Sequence, residues 1–200
     1  MQGDAPVPIE SRALGTLAYI RSSIESAGSM AVPGMAGVSM GVIGLAAAVL
    51  AAIPDLAPHW LAIWLAAAAI ALGLGGSLMA RKAAHAGAAR YMGPARKFLL
   101  CLCPALVAGA VLTAVLWSAG DERAIPGTWL LLYGCAVLPA STVTSAAVNR
   151  LVGAMGISFV ALALIAFGAP VTGKTWLLGM GFGGLHIVFG ILVGRASRGE

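Results

Sequence analysis

Of the three histidines, only His186 falls inside a long apolar run, midway between Trp176 and Arg195 and so near the centre of a membrane-length segment. An imidazole placed there must find a partner or lose on the order of several kcal/mol in desolvation. One use is a neutral ring hydrogen-bonded across a helix interface. The chemical uses are a protonation switch, a haem or metal ligand, or a general base. Two histidines of one chain do not suffice for haem, because His59 and His85 fall between the apolar segments; Met180, Met155 or another chain would have to supply the second ligand. The other polar set is Ser141, Ser145 and Asn149, spaced i, i+4, i+8 and flanked by Thr142 and Thr144. On a helix running through 148 these share one face. Such a face is either a packed seam, with hydroxyls bonded back to their own helix, or one wall of a cavity open to the cytoplasm. Pro139 removes one backbone donor nearby and frees the carbonyl of Cys135.

Cys101 and Cys103 follow Lys97 by four and six residues, whereas Cys135 follows Trp129 by six, which places them at opposite leaflets and beyond disulfide reach. They read as small membrane residues. His186, Gly190 and Gly194 are similar to the sixth-helix motif of rhomboid intramembrane proteases, and Tyr133-Gly134-Cys135-Ala136 stands where those enzymes carry Gly-x-Ser-Gly. That resemblance would make Cys135 the nucleophile in place of serine, but the serine and the second motif glycine are both absent. Gly37-Val38-Ser39-Met40-Gly41 matches the nucleophile-elbow pattern only formally, since no strand precedes it.

The elements that must hold these residues follow from composition. Of 200 residues 60% are apolar or tyrosine, 27 are glycine and only 10% are charged, with mean hydropathy +0.96. An ordinary soluble domain has roughly 25% charged residues, so a water-facing surface cannot be built here, which excludes soluble enzymes and nucleic-acid-binding domains. Six apolar segments, about 37–54, 60–80, 98–118, 128–148, 153–169 and 175–194, each suit about 30 Å of hydrocarbon. Before them, Leu14, Leu17, Tyr19, Ile20 and Ile24 recur at near-helical spacing, which predicts an interfacial amphipathic helix. No cleaved targeting segment is expected. The loop Arg81–Lys97 holds five basic residues, and assigning it to the cytoplasm puts ten of the twelve basic residues there, leaving Arg123 and Lys174 outside. The net charge of +5 is therefore an orientation signal, with both termini cytoplasmic.

Each outward-to-inward segment opens on tryptophan and closes on arginine: Trp60 to Arg81, Trp129 to Arg150 and Trp176 to Arg195, separations of 21, 21 and 19 residues. At about 1.5 Å per residue these span about 28–32 Å, one bilayer. Three parallel hairpins, as a diverged repeat, would produce the same regularity. Gly179/Gly183 and Gly190/Gly194 form two GxxxG pairs that allow close helix approach, within the bundle or with another subunit. The run Gly41-Val42-Ile43-Gly44-Leu45 to Ile53-Pro54, followed by a Trp-led helix ending at Arg81, resembles the hairpin unit of HdeD-type acid-resistance membrane proteins. The resemblance covers span layout and implies a small inner-membrane stress protein without a known catalytic centre.

The expected architecture is all-α and polytopic, with six transmembrane helices in three hairpins over 35–195, preceded by an interfacial segment, 1–34, and followed by a short tail, 196–200. Span interiors lack carboxylates, which argues against ion-coupled transport. The expected role is structural or accessory, in a homo-oligomer or larger inner-membrane complex, with no enzymatic activity, cofactor or metal. The alternative is a passive channel or solute facilitator lined by the fourth helix and His186.

Overall fold

A computed structural model describes residues 16–17, 34–86 and 88–197; the predicted interfacial helix lies almost wholly outside them. Among the described residues six helices are long and apolar enough to cross a membrane, and the chain has the expected all-α polytopic fold. Helix is the form that satisfies every backbone donor and acceptor within one apolar segment. The first five spans are α1 (Gly34–Ala52), α2 (Trp60–Ala86), α3 (Ala88–Ser118), α4 (Ile125–Ser141) and α5 (Ala146–Gly168). The sixth is composite: α6 (Val171–Leu178), a π-helical stretch (Gly179–Leu185) and α7 (His186–Ala196).

Two expectations are corrected. The basic stretch Arg81–Lys97 is not an extended loop, because α2 continues through Ala86 and α3 begins at Ala88; its alanines, arginines and lysines are strong helix formers. The fourth helix ends at Ser141 rather than 148, and the fifth starts at Ala146. Pro139, two residues before that end, is thus near a helix terminus. Ser141, Thr142 and Thr144 hydroxyls donate to the carbonyls of Leu138, Pro139 and Ser141 at 2.8, 2.7 and 2.6 Å, so side chains close the turn. Trp129 and Arg150 consequently stand on different helices, while Trp60 and Arg81 share α2.

Glycine decides how closely the spans approach. The sixth span runs antiparallel to α1, and a Cβ on Gly41 would come within 2.7 Å of the Gly183 carbonyl oxygen and 2.8 Å of the Ile187 nitrogen. One on Gly190 would meet the Val38 nitrogen at 2.7 Å, and one on Gly179 the Ala48 Cβ at the same distance. Gly183 and Gly190 are therefore used inside this bundle, and so is Gly179. Gly194 packs on Gly34: a Cβ on Gly34 would come within 2.6 Å of the Gly194 backbone, although one on Gly194 would clear the Gly34 Cα at 3.7 Å. Gly134 and Gly156 bring α4 and α5 together in the same way. The main core comprises Leu130, Phe159, Leu178, Trp64 and the α1 alanines, and a smaller cluster joins Val137, Val148, Val152 and Val193. Helix α3 is the outer wall: it packs on α4, barely touches α2, and only 6% of its apolar window is buried.

Candidate functional site

The glycine contacts carry two polar side chains to the same point. Tyr133 precedes Gly134 on α4, and His186 follows the glycine-rich π-helical stretch of the sixth span. The Tyr133 hydroxyl lies 2.7 Å from His186 Nε2. The histidine is only 3% exposed, and its Nδ1 makes no well-formed hydrogen bond, with the Gly181 and Phe182 backbone carbonyls beside the ring. Aromatic rings enclose the pair: Phe159 lies 4.7 Å from Tyr133 and 5.5 Å from His186 between centroids, and Phe182 stacks on the imidazole at 6.1 Å. Trp64, on α2, meets Phe182 at 6.3 Å, and its buried indole N–H is also unpartnered.

Counting unmet groups fixes the polarity of the pair. If His186 Nε2–H donates to the tyrosine oxygen, both the phenolic hydrogen and Nδ1 go unmet. If Tyr133 donates to Nε2, the ring hydrogen sits on Nδ1 and only that donor goes unmet. Each buried orphan costs about 1–3 kcal/mol, so Tyr133 is the donor. Both unpartnered groups, His186 Nδ1–H and Trp64 Nε1–H, are then donors.

Tyr133, His186 and Trp64 form part of the wall of a cavity of about 300 Å³ bounded by α1 to α4 and the sixth span. The rest of the lining is almost wholly aliphatic and aromatic, and its wall residues Leu65, Leu72 and Leu106 are themselves exposed, so the cavity reaches the outside on the α2–α3 side. Trp129 also lines it. Its indole donates to Thr113 Oγ1 at 2.8 Å, which donates to the Gly109 carbonyl at 2.6 Å, tying α3 to α4.

Of the residues singled out from sequence, His186 belongs to the polar pair and Trp129, expected as an anchor, lines the cavity. Ser141 and Thr144 are buried and bonded to their own helix end; Ser145 occupies the cap position of α5, and Asn149 lies on α5 itself. The expected common face of Ser141, Ser145 and Asn149 does not exist, because a turn separates them. Cys135, two residues past Tyr133, is exposed, as i and i+2 positions on a helix point apart; no Cys–His dyad forms. Met180 is likewise exposed and Met155 packs in the core. Among the Trp and Arg anchors, Trp176, Arg81, Arg150 and Arg195 are exposed, while Trp60 and Trp129 are half-buried and pack 6.3 Å apart.

Sequence reasoning missed Tyr133, Trp64 and the π-helical stretch. Four glycines within Gly179–Leu185 were the signal for the last. A π-helical insertion rotates the following residues by about 100° relative to a continuous α-helix, and so helps decide which way His186 faces.

Together these features define a polytopic α-helical membrane protein with an apolar intramembrane cavity and a buried Tyr–His pair in its wall. No protein-family model, curated protein or solved structure matches the chain.

Proposed function

We propose that this protein binds a small apolar molecule bearing a hydrogen-bond-accepting oxygen, such as a carbonyl or an ether, and serves as an accessory membrane component rather than a conduit. The cavity carries this reading. It opens on the α2–α3 side, so a molecule can enter it laterally, and an apolar lining selects an apolar one. Two donors without a well-made bond, Trp64 Nε1–H and His186 Nδ1–H, belong to side chains that line it; neither atom has accessible surface of its own, so the acceptor of an occupant reaches them through a turn of either ring. A hydrated path along the fourth helix, the other expectation, draws no support from hydroxyls already engaged by their own helix.

In this role the protein works within a homo-oligomer or a larger complex of a bacterial-type inner membrane. The distribution of basic residues favours both termini on the cytoplasmic side.

Solvent extraction of the protein purified in maltoside, followed by mass spectrometry, tests the reading. One class of apolar carbonyl or ether compound is expected near one equivalent, falling about tenfold or more in His186→Phe and in Trp64→Phe, the equivalent of losing one well-made hydrogen bond each. An extract indistinguishable between wild type and both variants overturns it. Liposomes holding the wild type are expected to pass no small solute between pH 5 and 8; a flux abolished by His186→Ala would establish conduction instead.

A further inference from the structure

A second site lies at the Trp-bearing end of the bundle, away from the central cavity. Lys174, in the first turn of α6, is only 6% exposed. Its ammonium has three donors, of which one reaches the Arg123 backbone carbonyl at 2.6 Å. A buried cation with one neutral partner is costly unless a counter-charge completes its shell. Lys174 lines a recess of about 420 Å³ together with Asp121, Arg123, Phe167 and Pro170. The recess thus holds two cations against one carboxylate, an excess of one positive charge. Neither Lys174 nor Arg123 makes an ion pair with Asp121. Helix α6 also opens here without a side-chain cap, adding its positive end. Trp176, exposed two residues further on, is the kind of side chain that sits at headgroup depth.

We propose that this recess binds a singly charged phosphate group, of the diester kind that phospholipid headgroups carry. One such anion neutralises the excess charge, takes the free donors of Lys174 and the Arg123 guanidinium, and leaves Phe167 and Pro170 to cover its apolar substituents. Arg123 enters the argument twice, separably: its backbone carbonyl braces Lys174, and its side chain supplies the second cation.

Native mass spectrometry of the full chain released from maltoside micelles tests this, titrating dihexanoyl phosphatidylglycerol against dihexanoylglycerol, which lacks the phosphate. The phospholipid is expected to bind about tenfold tighter or better, and both Lys174→Met and Arg123→Gln to lose about tenfold. Arg123→Gln keeps the carbonyl brace, so its loss cannot come from a collapsed loop. Inorganic phosphate that competes with the phospholipid would identify free phosphate as a second source; failure to compete assigns the site to the lipid headgroup. Equal binding of the two lipids, or wild-type binding by Arg123→Gln, overturns the proposal. Neither result touches the central cavity.

Discussion

Gly41→Val is expected to destabilise the bundle and lower its melting temperature. The first added carbon would already stand 2.7 Å from the Gly183 carbonyl oxygen and 2.8 Å from the Ile187 nitrogen, both backbone atoms of the antiparallel sixth span. A flexible side chain could turn aside, but a helix backbone must move as a body. Moving it opens the α1 contact that stabilises the π-helical stretch and the position of His186. Overpacking of this kind costs about 1–3 kcal/mol, occasionally more, which lowers the melting temperature by about 2–12 °C in a chain of this length. Gly190→Val should behave alike, since its Cβ would meet the Val38 nitrogen at 2.7 Å. The matched control is Gly76→Ala, where nothing lies within 4 Å of the new carbon; it should be neutral or gain up to about 1 kcal/mol of helix propensity. Thermal unfolding in detergent, followed by circular dichroism and by size-exclusion elution, reads all three. A Gly41→Val protein that melts like wild type but changes its oligomeric state would move these glycines from the bundle interior to a subunit interface.

The span pattern was legible because hydrocarbon thickness imposes it: continuous apolar length and basic ends are written into local sequence. The mid-membrane place of His186 was legible for the same reason. The turn at 142–145 was not, because serine and threonine suit both a polar helix face and a helix end, and the difference lies in which carbonyl each hydroxyl finds. Reading Ser141, Ser145 and Asn149 as one face assumed an unbroken helix. Tyr133 was the signal passed over. A phenol buried within a span needs a partner for its hydroxyl, and His186 was the other buried polar group in need of one. What paired them, across 53 residues, was the glycine packing of two separate interfaces, which no local pattern encodes.

Replacing both members of that pair should separate stability from function. Tyr133→Phe leaves His186 Nε2 without its partner, and His186→Phe leaves the phenolic hydroxyl unmet; each should cost about 1–2 kcal/mol. The double variant removes donor and acceptor together and adds two phenylalanines beside Phe159 and Phe182, which already line the pair. It should therefore melt close to wild type, with a coupling of about 1–2 kcal/mol between the two sites. A pair serving only as structural glue would leave the cavity's occupant in place in this well-folded double variant. The acceptor-binding reading requires the opposite: with Nδ1–H gone, the occupant should fall about tenfold despite restored stability. Trp64→Phe, which leaves Tyr133 and His186 bonded, should lower the occupant without changing the Tyr133–His186 coupling. Retention of the occupant in the stable double variant would reduce the Tyr–His pair to a packing device and take the central cavity's selectivity away from it.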